Sequence, residues 1–206
     1  MNLGTMKTAL ARIAGVDTGD PLLDWINAAM HEFEDAYPWP WLEAQTTLNT
    51  VAANPSVALP ADYFKMMKIR IDTTTVHREI RYKSWTAFEE EVQAPATPGV
   101  PDYYTLVGAS TIILYPVPNL VYPLSVTYEK AMADLAIDAN VPDCPVRYHY
   151  TIVKGAVVYA LEAESEEERA STARGVFEDA IDRHITRLGN KQSGGYNTVR
   201  DVQEYG

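Results

Sequence analysis

Cysteine is almost absent from this chain: Cys144 is the one thiol in 206 residues. An intramolecular disulfide and a thiolate metal cage each need more than one, so both are excluded. Basic residues are scarce, 17 Lys and Arg against 28 Asp and Glu, giving a formal charge of −11. Duplex DNA is held largely by cations that displace counterions from phosphates, and the sequence shows no run in which its basic residues cluster. The surface is therefore expected to repel nucleic acid. No stretch of about 18 apolar residues exists, so no segment is expected to span a membrane. The opening MNLGTMKTALARIAG lacks the continuous apolar core of a signal peptide, and the chain is expected to stay in the cytoplasm where it is made. Signatures of catalysis are missing as well: there is no P-loop, G-x-G-x-x-G, G-x-S-x-G or H-E-x-x-H. Neither enzymatic activity nor a cofactor or metal is expected.

What is present is an ordinary globular composition, 47% hydrophobic and 22% charged, long enough to bury a real core. Met6, Leu10 and Ile13 fall at helical spacing and are stopped by Gly15. The segment DPLLDWINAAMHEFEDAY predicts a second helix, with Asp20 as N-cap, Pro21 in the first turn and a stripe of Leu22, Ile26, Met30, Phe33 and Tyr37. Pro38-Trp39-Pro40-Trp41 then ends it, because proline removes a backbone donor and blocks the turn before it.

Twelve of the 13 prolines lie between residues 38 and 145, and the pattern there changes to short strands. In YFKMMKIRID, Phe64, Met66, Lys68 and Arg70 alternate with Met67, Ile69 and Ile71. VHREIRYK sets Val76, Arg78, Ile80 and Tyr82 on one side. SWTAFEEEVQ predicts a brief helix capped by Ser84. DYYTLVGASTIILYP predicts a hairpin turning at Gly108-Ala109-Ser110, and YPLSVTYEKA a strand with Leu124, Val126 and Tyr128 on one face. Helix returns after Pro142, with His149, Val153, Ala156 and Ala160 on one face beside Ile152, Val157 and Leu161. A final helix is predicted from a Ser165/Glu168 capping box to a Gly189 C-cap. The fold class is thus α+β: a helical bundle of residues 1–40 and 132–189, an inserted antiparallel β sandwich or barrel over 41–131, and a polar, flexible tail over 190–206.

Candidate chemistry is thin. His31 in HEFED has no second histidine at zinc-helix spacing and is expected on a solvated helix face. Cys144 and His149 are five residues apart, and a small packed residue and a core or interface histidine are the expected roles, rather than a thiolate–imidazole pair. Five acidic residues in EAESEEER fit a helix N-terminus better than a metal site. Trp39 and Trp41 either cover one end of the bundle or sit in a protein contact, where tryptophan is enriched.

The ordered series is informative where its pieces are not. A helical start gives way to the Pro-Trp exit, then LPADY at 59–63, GVPDYYTLVG at 99–108, TIILYPVPNLVYPLSVTYEK at 111–130 and VPDCPVRYHYTIVKGAVVYAL opening the last helices. This series, over about residues 15–188, resembles the head-to-tail adaptor proteins of short-tailed bacteriophages, the tail-tubular and tail-accessory group. The resemblance implies a structural virion protein, assembled in the host cytoplasm, without catalytic residues or cofactors. It implies a homo-oligomeric ring, usually a dodecamer, between the portal protein and the tail nozzle protein, through which DNA passes without specific binding. It also implies a C-terminal segment that grips the portal, here Asn190, Lys191, Tyr196, Arg200 and Tyr205 by position. A small carbohydrate- or protein-binding module built on the β insert, and a connector of a long-tailed phage, are the alternatives.

Overall fold

The computed structural model describes residues 1–17, 21–73, 77–92 and 98–192. The elements run α1 (Leu3–Ala14), α2 (Leu22–Asp35), β1 (Glu43–Asn49), β2 (Ser56–Ala58), β3 (Tyr63–Asp72), β4 (His77–Tyr82), α3 (Trp85–Glu91), β5 (Tyr103–Val107), β6 (Thr111–Tyr115), β7 (Pro123–Lys130), α4 (Val146–Ala163) and α5 (Glu167–Gln192). The class is α+β, with helices at both ends of the chain, as the sequence predicts. Two compact units result, one of Met1–Tyr37 with Asp134–Gly206 and one of Pro38–Ala133.

The helical unit is organised around α4. Its buried residues include Tyr148, His149, Ile152, Val153, Ala156, Val157, Val158, Ala160 and Leu161, which go most of the way round the helix. Such a helix must be covered on several sides, and α1, α2 and α5 all pack against it. Every residue of its predicted apolar faces is buried. Gly155 lets the helices approach: a methyl there would lie 2.9 Å from the Phe177 ring on α5 and 3.0 Å from the Ala29 Cβ on α2. The first helix is capped by the Asn2 side chain, which accepts from the Thr5 N–H, and ends at Gly15 with φ 81°. Ile13, expected on the apolar stripe, lies at the rim and is 37% exposed, since Ala9 and Ala14 turn inward instead.

Three terminal signals differ from expectation. Pro21 occupies the cap position of α2 rather than its first turn, and Asp20 lies outside the described residues. Ser165 does not cap α5. It takes φ 59° and closes α4 in a Schellman turn, in which the Glu166 N–H bonds to the Leu161 carbonyl at 2.9 Å and the Ser165 N–H to the Glu162 carbonyl at 3.1 Å. Chain reversal needs a left-handed residue at that point, and this requirement overrides the capping-box spacing. Gly189 does not stop α5, which runs on to Gln192. An interior glycine weakens a helix by only about 1 kcal/mol relative to alanine, too little to end one unaided.

In the second unit the strands form one curled, half-barrel sheet of order β1-β7-β3-β4-β5-β6-β2. The pairs are antiparallel except β4 with β5, which are parallel, so the sheet is mixed rather than wholly antiparallel. The connection through α3 carries the chain back to start β5 alongside β4, as parallel pairing demands. Leu124, Val126 and Tyr128 of β7 face a core with Ile69, Ile71, Ile80, Tyr104, Ile112 and Leu114. The predicted faces of β3 hold only at its end. Register shifts between Tyr63 and Lys65 and between Met66 and Lys68 put Phe64 and Met67 outside, 52% and 51% exposed, and turn Met66 towards the core. Each bulge adds one residue and reverses the alternation. Tyr82 is also exposed, where simple alternation from the buried Ile80 would place it inside. The β5–β6 hairpin turns at Gly108 with φ 63°, as expected.

Two stability changes of opposite sign follow. Gly155→Val should destabilise the protein by about 1–3 kcal/mol, because Phe177 and Ala29 leave no room for added methyls. Ser165→Gly should stabilise it by about 0.5–1 kcal/mol by relieving a left-handed non-glycine residue. Chemical denaturation with helix circular dichroism as readout measures both.

Candidate interaction surface

On α4, Arg147 and Lys154 are seven residues apart, and on α5, Arg183 and Arg187 are four apart. Both spacings keep side chains on one helix face, and the two helices pack together, so four cations converge around His184. His184 Nε2 lies 2.9 Å from the Thr151 hydroxyl, and its ring meets the Tyr148 ring edge-on at 4.6 Å. Arg147 stands over the Tyr148 ring at 4.6 Å and Lys154 over the Tyr150 ring at 5.8 Å. Arg183 Nε donates to the Asp179 carbonyl at 3.0 Å. Among the described residues none of the four cations forms an ion pair with a carboxylate. Burial lowers the His184 pKa first, and the fields of Arg187, Arg147, Lys154 and Arg183 lower it further.

This cluster corrects the expectation that the basic residues are dispersed. The signal was in the sequence as i, i+7 and i, i+4 spacings on two separate helices, but only their packing brings the pairs together. On another side of α5 the sign reverses. Glu178 and Asp182 join Glu32 and Asp35 of α2 around an apolar floor of Phe177 and Ile181. Glu32 is itself engaged: Arg174 donates to it at 2.9 Å and Tyr159 at 2.8 Å, while the second Arg174 nitrogen donates to Glu162 at 3.1 Å. This network ties α2, α4 and α5. Burial and the Glu32 contact push the Tyr159 phenol up to about 12.

The residues singled out in the sequence take different places. His149 is fully buried; its Nε2 donates to the Cys144 carbonyl at 2.9 Å, which leaves Nδ1 to accept from the Met1 amino group at 2.6 Å. Both ring nitrogens are occupied, and neither meets the Cys144 sulfur. Burial, then Asp143, pushes the Cys144 thiol up to about 12, the opposite of an activated nucleophile. His31 is not on a plainly solvated face: it pairs with Glu34 at 3.1 Å and with Asp134 at 2.7 Å, and Glu34 is buried beneath it. Glu167 and Glu168 lie in the first turn of α5, as the acidic run predicts. Trp39 is fully buried and stacks on the partly buried Trp41, ring centroids 4.8 Å apart. Asn190 and Lys191 continue the α5 backbone, while Tyr196, Arg200 and Tyr205 lie outside the described residues.

The described residues thus offer charged surfaces on packed helices, with no group of His, Cys, Asp and Glu placed to hold a metal ion. No described helix is long and apolar enough to cross a membrane. The pattern of the SU10 adaptor protein family matches residues 1–201. The chain belongs to that family. It is a bacteriophage adaptor, a structural component of the virion that works through contacts with other phage head and tail proteins. No curated protein matches the sequence. In an SU10-family adaptor the surfaces are where function is to be sought, and the cationic α4–α5 face is the one that sequence reading missed.

The histidines give a pH dependence with a defined sign. His149 is lowered by burial, which outweighs the raising effect of its hydrogen bond to the Cys144 carbonyl, and His184 is lowered as described. For both, the unfolded chain takes up protons that the fold resists, so stability present above pH ~6.5 is lost as pH falls below it. His31 behaves oppositely. Burial lowers its pKa, but hydrogen bonds and charge from Glu34 and Asp134 outweigh burial and raise it, so its contribution is full below pH ~6.5 and fades as pH rises through the raised value. Ring-proton NMR titration should place His149 and His184 below, and His31 above, the unperturbed value.

Proposed function

We propose that this chain is a head-to-tail connector subunit that forms a ring beneath the portal protein, joins it to the tail nozzle protein, and lets the genome pass. The observation that carries this reading is the SU10 adaptor family match over residues 1–201, on a chain whose helical unit is interrupted by a β-rich unit. The ordered motifs of the sequence favour the tail-tubular group of short-tailed phages. The role is mechanical and non-catalytic, and assembly takes place in the host cytoplasm before the subunit becomes part of the virion.

Ring formation in this reading is helped by the portal. A preformed ring needs a large head-to-tail surface. The exposed apolar residues of the helical unit, such as Val146 and Val176, are scattered rather than gathered into one stripe. The C-terminal segment 190–206, with Tyr196, Arg200 and Tyr205, is proposed as the portal grip, since polar segments of this kind order on a partner and wrap it. The channel wall is proposed to be neutral or acidic, so that passing phosphates find few cations to bind.

Purified chain mixed with portal rings of the same phage should form a complex, while the chain alone at micromolar concentration sediments largely as monomer. Removing residues 190–206 should leave the melting transition in place and abolish portal binding. Failure of the intact chain to bind portal rings would refute the connector reading, and unchanged binding after truncation would move the grip to the helical unit.

A further inference from the structure

The two charged faces of the helical unit lie on different sides of one helix. At 3.6 residues per turn, Arg183 and Arg187 point about 140° away from Glu178 and Asp182 around the α5 axis. All four residues are exposed. Asp35, Glu178 and Asp182 have no ion-pair partner among the described residues, and neither do Arg147, Lys154, Arg183 and Arg187. In a chain of charge −11, four cations gathered with none of them ion-paired to a carboxylate among the described residues repel one another, although Asp179 lies one turn from Arg183. Beside them stand Val146, 71% exposed, and Tyr150, 48% exposed. Arginine and tyrosine next to exposed apolar surface is the composition of a protein contact, whereas a phosphate-tracking surface has little use for an exposed valine. The acidic face offers the counterpart in charge, the exposed carboxylates of Asp35, Glu178 and Asp182 beside the partly exposed Ile185.

We propose that the cationic α4–α5 face of one copy docks on the acidic α2–α5 face of a second copy, so that subunits join head to tail. Sign and placement together select this geometry. The two faces lie about 140° apart around α5, so a two-fold contact through one of them sets cation on cation or carboxylate on carboxylate. A head-to-tail contact sets each against its complement, and repeating that contact closes a ring or extends a filament. The inference deepens the connector reading by naming the faces through which neighbouring subunits meet.

The test uses full-length chain in two charge-reversed forms. One carries Arg183→Glu with Arg187→Glu, the other Glu178→Lys with Asp182→Lys. Glutamate and lysine are good helix formers, and circular dichroism melts check that both forms fold. Self-association is read by sedimentation at low salt and at concentrations well above the micromolar range, where the weak contact of the natural chain is populated, and the number of copies bound per portal ring by native mass spectrometry. Each form alone should associate at least about tenfold more weakly than the natural chain, since like charges then face each other. An equimolar mixture should recover association, because alternating copies restore opposite signs at every contact. Undiminished association of either form, or no recovery on mixing, overturns the proposal while leaving portal binding, and with it the connector reading, intact. Duplex DNA binding by the natural chain that disappears in the Arg183→Glu, Arg187→Glu form would also overturn it, by assigning the cationic face to phosphate. If the natural chain does not bind portal rings the connector reading fails, and recovery on mixing in solution still decides whether these faces join copies.

Discussion

The close approach of α2 and α5 across Gly155 of α4 is the constraint on which the helical unit depends. A helix buried on most of its circumference is not stable alone in water, and each large apolar side chain it covers contributes about 1.5–3 kcal/mol only once its neighbours are seated. Seating brings the Phe177 ring within 2.9 Å of where a Cβ would be, closer than a side chain allows, and a glycine at 155 provides that space. Helical segments separated by the whole β-rich unit are thereby held together: α2 from before it, α4 and α5 from after it.

Polar contacts then fix what burial brings close. Arg174 reaches Glu32 on α2 and Glu162 on α4, and Tyr159 completes the set. These residues are partly exposed, so the network contributes orientation more than stability. Its consequence for the surface is larger. With Arg174 engaged by Glu32 and Glu162, Asp35, Glu178 and Asp182 keep no ion-pair partner among the described residues on one side, while Arg147, Lys154, Arg183 and Arg187 gather on another. An adaptor that must join ordered neighbours benefits from such separation, because charge sets orientation and the rate of encounter more than raw affinity.

The β-rich unit follows a different logic. Its sheet has one buried face, so alternation identifies the inward residues of β7 directly, and Leu124, Val126 and Tyr128 were legible as one face; Ile112 and Leu114 of β6 join them in the core. In β3 the same reasoning fails at Met66 and Met67, because two bulges change phase within one strand and nothing in a run of methionine and lysine marks where. The parallel pairing of β4 with β5 was equally hidden: each strand carries its own signal, while the order of strands depends on the path of the chain between them.

By itself, the sequence determined the elements and their inward residues wherever local physics is decisive. The 3.6-residue period marked the buried stripe of α4 and that of α2 as far as Phe33, while Tyr37 lies past the end of the helix and is only partly buried; glycine marked the stop of α1 and the turn of the β5–β6 hairpin, and the proline-tryptophan stretch lies just beyond the end of α2. Tertiary structure alone decided what depends on two distant segments meeting. It made Ser165 the end of one helix instead of the start of the next, occupied both nitrogens of His149, buried Glu34 under His31, and turned four dispersed basic residues into one cationic face. Local periodicity constrains a residue relative to its own helix axis or strand, and charge convergence depends on the distance between axes, which only packing sets.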